Sequence, residues 1–511
     1  MKHLNRYLRL LITVTSGALV LSAATACSVP EVSSEAITET TYATESSTLL
    51  TSKEAFTGKD LEIGYDENDS ETITLNGSTA SSSSSSVKIS DSVVTIQSKG
   101  TYIISGTLDD GYIVVDAGKS DEIRLILKDV SITSSDYAAL YCLSADNVYI
   151  TLEDGTENVL TTSGEFDSKD ENNVDGTVFS KTDLTINGSG VLNVISSAHG
   201  IVGKDEVAIT GGTINIKSTK DGIQANDSVA VQNANVSITC GKDGIQADND
   251  DDLTKGYVYI SSGNITISAE DDGITAATAL QIDDGTVNIL NSYEGLEGQN
   301  ITINGGSLSL TSSDDAINAV SASSSGEVMQ SDGVSTLVIN GGDIYVKSVG
   351  DGVDSNGSFE MTGGTLTVMG PSSGANGSLD VNGTSTITGG TVIMAGTSSM
   401  ATNFTNASQG AMLINTGNQS EGTEITVTDM SGNILVKAVA DCDYQTVLIS
   451  SPDLVKDSSY TVTAGNYSET VTLTDNIYGS GSGFGMGGPG GRGGGMPQNN
   501  VEPGFFSGKD H

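Results

Sequence analysis

Asp221-Gly222-Ile223-Gln224-Ala225-Asn226 is the phrase that this sequence keeps repeating. It returns at 243–248 as Asp-Gly-Ile-Gln-Ala-Asp and at 272–276 as Asp-Gly-Ile-Thr-Ala. Looser copies begin at Asp175, His199, Glu294, Asp315 and Asp351. A second phrase lies between the copies and joins a Gly pair to an alternating strand, as in Gly-Gly-Thr-Ile-Asn-Ile at 211–216. The chain is therefore a repeat protein.

The spacing of the copies indicates which kind of repeat this is. Positions 199, 221 and 243 are 22 residues apart, and the wider gaps carry insertions at 248–255 and 320–334. A unit of this length, made of period-2 segments and Gly turns, cannot hold a pair of helices. It also lacks the six-residue echo of a left-handed hexapeptide helix.

The predicted fold is all-β, a right-handed parallel β-helix with β caps at both ends. Gly is expected at the corners of the coil, because it adopts a positive φ without steric cost, and apolar side chains are expected to stack inside. The caps are expected because an uncapped coil would expose a strand edge. One internal column is predicted to contain Ile223, Ile245, Ile274, Leu296, Ile317 and Val353.

The composition divides the chain into six segments. These are a lipoprotein signal peptide with its lipobox (1–27), a disordered Ser/Thr/Glu-rich stalk (28–58), an N-terminal β cap with the first coils (59–130), the parallel β-helix (131–410), an antiparallel C-terminal β cap (411–478) and a disordered Gly-rich tail (479–511).

The first segment predicts the location of the protein. Basic residues precede an apolar run at 10–20, and Ala24-Thr25-Ala26-Cys27 closes it. This order is typical of a bacterial lipoprotein signal, which would leave a lipid on Cys27 and anchor a secreted protein to the membrane. The alternative is ordinary signal-peptidase cleavage with Cys27 incidental. Mass spectrometry of the native N-terminus distinguishes the two.

The acidic residues predict a metal. The formal charge of −43 makes nucleic acid a poor partner. Equivalent residues of successive coils stack about 4.8 Å apart, so the first residues of the repeats would form a ladder of carboxylates. Stacked carboxylates without His or Cys nearby favour Ca²⁺. The predicted metal ligands are Asp221, Asp243, Asp248, Asp250, Asp252, Asp271, Asp272, Glu294, Glu297, Asp314, Asp315, Asp351 and Asp354. The alternative is that each Asp only caps its own turn.

Catalytic groups are scarce. The repeats and caps hold a single arginine, Arg124, as a candidate strong base for uronate elimination. Paired carboxylates for glycoside hydrolysis abound, but an Arg-x-Lys element to orient an acidic sugar is absent from the sequence. The sequence therefore predicts that the protein is not an enzyme.

Several motifs together carry a resemblance to a known family. They are Gly-Thr-Glu-Asn at 155–158, Leu-Thr-Ile-Asn-Gly-Ser-Gly at 184–190, His-Gly-Ile at 199–201, Lys-Gly-Tyr-Val-Tyr-Ile at 255–260, Ile-Ser-Ser-Pro at 449–452 and the Asp-Gly-Ile repeats. Over roughly 60–475 the chain resembles the bacterial pectate-lyase-like β-helix carbohydrate-binding domain family, known from clostridial cell-surface proteins that bind cellulose and polygalacturonate. The resemblance implies Ca²⁺, non-catalytic polysaccharide binding and secretion. Departures from the pattern are Glu294, Ala316 and Ala234.

The expected function is that of a Ca²⁺-containing cell-surface lipoprotein that binds a polysaccharide. Trp is absent, so tyrosines would have to supply the aromatic contacts with the sugar. The candidates are Tyr257, Tyr259, Tyr293 and Tyr345. Two alternatives stay open, namely a surface spacer or adhesin without a glycan ligand and a polysaccharide lyase or glycoside hydrolase.

Overall fold

The structure of the chain, a computed structural model, describes residues 50–169, 171–249, 252–321 and 331–480. Within these ranges the chain is almost entirely β, with one short helix, α1 (Ser52–Ala55), and one 3-10 turn (Glu67–Asp69). No helix in the described ranges has the length and apolar character needed to cross a membrane. The signal peptide with Cys27, residues 28–49 of the stalk, Asp250 and the tail from 481 lie outside the described residues.

The strands form three stacks, and each turn of the chain adds one strand to each stack. Stack 1 holds the Asp-Gly-Ile repeats. Its strands are Val93–Ile96, Tyr112–Asp116, Leu140–Ser144, Gly176–Ser180, His199–Gly203, Ile223–Ala225, Ile245–Ala247, the first parts of Ile274–Ile282 and Leu296–Ile303, Ile317–Ala319, Asp354–Ser355 and Asp380–Val381.

Stack 2 follows stack 1 in each coil. Its strands are the first parts of Glu71–Gly77, Gly100–Leu108 and Glu122–Ser134, then Asn147–Leu152, Asp183–Gly188, Glu206–Ile209, Ser228–Val231, Tyr257–Ile260, the second parts of Ile274–Ile282 and Leu296–Ile303, Thr336–Ile339, Ser358–Met361, Ser385–Ile387 and Asn406–Ala407.

Stack 3 completes the coil. Its strands are the second parts of Glu71–Gly77, Gly100–Leu108 and Glu122–Ser134, then Glu157–Thr162, Val191–Ser196, Thr213–Ser218, Asn235–Cys240, Asn264–Ala269, Thr286–Asn291, Ser307–Thr311, Asp343–Lys347, Thr365–Met369 and Thr391–Gly396. All pairings within the three stacks are parallel, so the predicted β-helix is confirmed.

Antiparallel strands close both ends. At the N-terminal end Ala80–Ser82 pairs with Glu71–Gly77, and Val87–Ser90 pairs with Val93–Ile96. At the C-terminal end Tyr444–Ser451 lies antiparallel on Thr391–Gly396. The remaining strands of that cap are Gly410–Gln419, Ile477–Tyr478 and a separate sheet of Glu424–Asp429, Ile434–Val439, Ser459–Ala464 and Tyr467–Thr472.

The core is the inside of the coil. Every member of the predicted internal column, from Ile223 to Val353, is fully buried. Ile223 pairs in register with Ile245, and the register continues through Ile274 and Leu296 to the following coils. Alternation along each short strand is what places these side chains inside and their neighbours outside. The internal column is therefore confirmed.

The Gly pairs make the corners before stack 3. The second Gly of a pair has a positive φ, for example +84° at Gly212 and +87° at Gly306, which a side chain would make costly. Ala234 stands at such a corner, and there the preceding Asn233 takes the positive φ, +53°. Asn tolerates this conformation better than most residues, so this coil keeps its corner without the Gly pair.

Residues 50–62, which we call the strap, run along the outside of stack 2. Leu50 exchanges two hydrogen bonds with the side chain of Gln281, both 2.8 Å. Phe56 is buried and packs against Tyr259, with ring centroids 6.1 Å apart. The prediction of a disordered stalk as far as residue 58 is therefore wrong for 50–58, because the apolar residues of this segment pack against stack 2.

We expect Asp60→Ala to lower the free energy of unfolding by about 2–3 kcal/mol. Asp60 is 5% exposed, and its carboxylate accepts hydrogen bonds from the hydroxyl of Thr185 at 2.6 Å and from the backbone N–H of Thr57 at 2.7 Å. The substitution leaves the buried Thr185 hydroxyl without this acceptor. Urea denaturation measures the effect, with the exposed Asp69→Ala as control. Equal stability of the two variants would show that the strap is not energetically coupled to the coils.

Candidate functional site

The acidic ladder lies at the corner where stack 3 passes into stack 1. The backbone N–H of the residue after each ladder member donates to the carbonyl of the next ladder member, as in Gly222 to Asp243 at 2.9 Å and Gly244 to Asp272 at 2.9 Å. The ladder members, in order, are His199, Asp221, Asp243, Asp272, Glu294, Asp315 and Asp351. The column is continuous over seven coils.

The carboxylates of the ladder also link successive coils. Oδ1 of Asp243 accepts the backbone N–H of Asp272 at 3.1 Å, and Oδ1 of Asp272 accepts that of Glu294 at 3.0 Å. Asp221 makes the same bond to Asp243 at 3.2 Å. These carboxylates therefore cap backbone groups, as the alternative reading proposes, but those of the next coil rather than of their own turn. One oxygen of each is used in this way.

Six of the predicted metal ligands form two compact clusters. The first cluster is Asp243, Asp271 and Asp272, and the second cluster is Asp315, Asp351 and Asp354. In each cluster one carboxylate oxygen per residue lies within 4.8 Å of those of the other members. Such spacing lets three carboxylates contact one cation, since Ca²⁺ binds oxygens at about 2.3–2.6 Å.

Further oxygen atoms lie between the two clusters. Glu294 and Glu297 are hydrogen-bonded through their carboxyl groups, and Nδ2 of Asn318 donates to Oε2 of Glu294 at 2.8 Å. Asn318 and Thr275 occupy the coils on either side of Glu297. Within the described residues, Oδ1 of Asn318 and Oγ1 of Thr275 are buried without a hydrogen-bond partner. An uncharged oxygen left without a donor beside carboxylates fits a hard cation, so the residues present fit Ca²⁺.

Burial and mutual repulsion make these carboxyl groups hard to ionise. Burial, with the charge of Asp221, raises the pKa of Asp243 to about 7. Burial, with the charge of Asp243, raises the pKa of Asp272 to about 8. In the second cluster burial raises the pKa of Asp351 to about 7 and that of Asp354 to about 8. Burial and Glu297 also hold the pKa of Glu294 well above its ordinary value. A bound cation would favour the ionised form of these carboxyl groups and so lower their pKa values.

The N-terminal end of the ladder is neutralised by a residue that the metal prediction did not include. Nδ1 of His199 lies 2.9 Å from Oδ2 of Asp221, and Nε2 lies 3.4 Å from Oδ2 of Asp175. Burial lowers the pKa of His199, but the hydrogen bonds to these two carboxylates outweigh it and the pKa is raised. Asp221 is thus paired with His199. His199 occupies the position that Asp holds in the other repeats, and this position is the sequence signal that could have identified it.

The described residues of the insertion, 248–249 and 252–255, do not complete either cluster, so the prediction that Asp248 and Asp252 assist the ladder is wrong. The loop leaves the opposite end of the strand Ile245–Ala247, and Asp227 holds it there through Lys255 at 2.5 Å and Asn249 at 3.0 Å. Asp252 caps the exposed turn at Thr254. Asp250 lies outside the described residues.

Comparison with known families identifies the segment that holds most of this site. Residues 90–333 match the family model described as "Carbohydrate-binding domain-containing protein". This segment of the chain is similar to that carbohydrate-binding family. The matched residues include the first cluster and the ladder as far as Asp315.

Two known proteins are similar to parts of this chain. A carbohydrate-binding domain-containing protein from Acetivibrio thermocellus is 39% identical over 129 residues, which are 25% of this chain and 45% of that protein. The chain thus spans about half the length of that relative. A solved structure, the polysaccharide lyase-like protein from C. thermocellum as a gadolinium derivative, is 33% identical. The match covers 47% of this chain and 93% of that one, with a TM-score of 0.41.

Three of the four predicted aromatic contacts are wholly or partly covered. Tyr259 is fully buried under the strap, and its hydroxyl donates to Asp283 at 2.6 Å. Tyr257 is half-buried beside it. Tyr345 packs against the C-terminal cap and donates to Asp441 at 2.9 Å. The prediction that these three face the sugar is wrong, because the strap and the cap cover the strands on which they lie.

Tyr293 is the exposed member of the set, with 39% of its surface accessible. Its backbone N–H donates to the carbonyl of Asp271 at 2.7 Å, and its carbonyl accepts from the N–H of Asp314 at 2.9 Å. Its hydroxyl also bonds the Asp314 carboxylate, which raises the pKa of Tyr293 to about 12. Leu290, 60% exposed, lies on the same corner. An aromatic ring thus sits in the coil between the two carboxylate clusters.

Proposed function

We propose that this protein is a non-catalytic, Ca²⁺-containing polysaccharide-binding lipoprotein, secreted and anchored at the bacterial cell surface through Cys27. The proposed ligands are plant cell-wall glycans such as cellulose or polygalacturonate. The observation that carries the proposal is the family match over residues 90–333, which covers the first cluster and the ladder as far as Asp315. The matched segment is similar to carbohydrate-binding proteins, and the ladder supports the choice of Ca²⁺.

The first and second clusters would hold the cation. Asp243, Asp271 and Asp272 would supply one set of carboxylate ligands, and Asp315, Asp351 and Asp354 the other. Asn318 could add its unpartnered amide oxygen near the second cluster. Bound Ca²⁺ would offset the repulsion within each cluster and would offer free coordination positions to the carboxylates of a uronate chain.

The chain's own residues would orient the sugar between these sites. The exposed ring of Tyr293 lies on the corner that carries Asp271 and Asp314, and Leu290, three residues earlier in the chain, is also exposed. Sugar rings present C–H groups that pack on such a surface, while their hydroxyls reach the neighbouring carboxylates. One glycan chain could therefore lie along the corner and contact both clusters.

The surroundings of Arg124 support a non-catalytic role. Its guanidinium lies over the ring of Tyr149, 5.0 Å from the centroid, and donates to Thr151 and to the carbonyl of Glu62. These contacts lie on stack 2 under the strap, on a different face from the ladder. Arg124, the candidate base for uronate elimination, therefore serves to hold the strap.

We expect polygalacturonate to bind in Ca²⁺ and to be released by excess chelator. Tyr293→Ala should weaken binding about tenfold, whereas Tyr293→Phe, which keeps the ring, should bind nearly as wild type. Isothermal titration calorimetry with polygalacturonate measures both effects, and pull-down with cellulose tests the neutral polymer. Failure to bind either glycan in Ca²⁺ would favour the spacer. Release of unsaturated or reducing sugar ends would favour an enzyme.

A further inference from the structure

An open cleft lies apart from the two carboxylate clusters, near the N-terminal end of the ladder. Its volume is about 600 Å³, and it is lined by residues 163–168 and 173–175 on one side and by Ser197, Ala198 and Lys220 on the other. This volume falls within the range of small-ligand sites, roughly 300–1,000 Å³. The cleft lies inside the segment that matches the carbohydrate-binding family.

The loop that forms one wall is held in place before any ligand arrives. Its backbone bonds to the preceding coil through Ser163 to Ser134 at 3.0 Å and Asp167 to Asp136 at 2.8 Å. The ammonium of Lys169 pairs with Asp136 at 2.5 Å. It also lies 5.1 Å from the ring centroids of Tyr112 and Tyr137. A wall fixed in this way binds with a smaller loss of conformational entropy.

The charges that line the cleft disfavour an acidic ligand. Glu165, Asp167 and Asp175 contribute three carboxylates against the single ammonium of Lys220, which already lies 3.7 Å from Asp175. Burial opposes the ionisation of Asp175, but His199 and Lys220 outweigh it and lower its pKa. The cleft therefore keeps a negative charge that repels a polyuronate.

The same groups suit the hydroxyls and C–H faces of a neutral sugar. Carboxylates and the hydroxyl of Ser197 accept hydrogen bonds from sugar hydroxyls, and Lys220 donates to sugar oxygens. Phe166, which is half-buried against an aromatic cluster that includes Tyr141 and Phe179, gives the cleft an apolar contact. Mixed polar groups around one aromatic ring match the amphipathic surface of a pyranose.

We propose that this cleft is a subsite for a short neutral oligosaccharide and that it works without Ca²⁺. The proposal rests on the proposed polysaccharide-binding function. It assigns neutral glycans to the cleft and acidic glycans to the ladder, so one protein would bind both kinds of chain at separate positions.

The test is calorimetric titration of the full-length protein with cellotetraose in excess chelator. Phe166→Ala and Glu165→Gln should each weaken cellotetraose binding about tenfold, and Leu253→Ala, remote and 82% exposed, should not change it. Both cleft variants should bind polygalacturonate in Ca²⁺ like the wild type, which also shows that they are folded. Asp272→Asn combined with Asp315→Asn should show the opposite pattern.

Three results would overturn the inference. The inference fails if the wild-type protein does not bind cellotetraose. If that protein still binds polygalacturonate, the proposed polysaccharide-binding function stands and only the cleft assignment is lost. Cellotetraose affinity that is unchanged in both cleft variants would place the neutral sugar elsewhere. Trigalacturonate that competes with cellotetraose in chelator would show that the cleft accepts acidic sugars.

Discussion

Removal of Ca²⁺ is expected to lower the melting temperature, and the loss should be larger at pH 8 than at pH 5. The carboxyl groups of the clusters have raised pKa values, such as about 7 for Asp243 and about 8 for Asp272. The ordinary value of an unfolded Asp is about 3.9. Between these values the folded protein without metal holds more protons than the unfolded chain, so its stability falls as the pH rises.

The magnitude follows from the size of the shifts. For Asp243 alone, a pKa near 7 against an ordinary 3.8 corresponds to roughly 4 kcal/mol lost once the pH exceeds about 7. Ca²⁺ competes with these protons and binds more tightly as the pH rises, and it stabilises the fold by mass action. We therefore expect a melting temperature at pH 8 at least about 5 °C higher in Ca²⁺ than in chelator, and a smaller difference at pH 5.

Scanning calorimetry of isosteric variants tests the assignment. Asp272→Asn combined with Asp315→Asn keeps an oxygen that can accept the next coil's N–H, so the fold should survive while the response to Ca²⁺ and to pH shrinks. Asp343→Asn combined with Glu360→Gln removes two exposed acids outside the ladder and should leave both responses intact. Melting curves of the wild type that coincide with and without chelator at pH 8 would reduce the ladder to backbone capping.

The second large effect is expected from Gly364→Ala, which should cost about 3 kcal/mol or more of unfolding free energy. Gly364 has φ +80°, and a Cβ there would lie 2.6 Å from the carbonyl oxygen of Gly342 in the preceding coil. The substitution therefore combines an unfavourable conformation with a clash against backbone, which cannot move without disturbing the neighbouring coil.

Gly432→Ala is the matched control. Gly432 has nearly the same φ, +84°, but a Cβ would meet nothing within 4 Å. It should cost only about 1 kcal/mol. Urea unfolding of both variants isolates the effect of the close approach between coils. Equal losses would mean that φ alone, rather than the packing of the corner on its neighbour, makes Gly necessary in the pair.

The repeat period is sufficient to predict the features that recur from one coil to the next. In a solenoid each coil contacts mainly its neighbours, so residues 22 positions apart, such as Asp221 and Asp243, meet in space. The repeat period therefore predicts the strand register, the internal column and the continuity of the ladder. All six members of the two clusters were among the predicted ligands, because they occupy fixed positions of the repeat.

The segments that cover the coils from outside are held by contacts between residues far apart in the chain. Leu50 meets Gln281 across 231 residues, and Tyr345 meets Asp441 across 96. No period encodes such contacts, so the burial of Tyr259 under the strap and of Tyr345 under the cap could not be read from the repeat. The direction of the insertion at 248–255 and the cleft beside the loop 163–175 depend on single, non-repeated segments in the same way, because their positions are fixed by contacts that occur once in the chain.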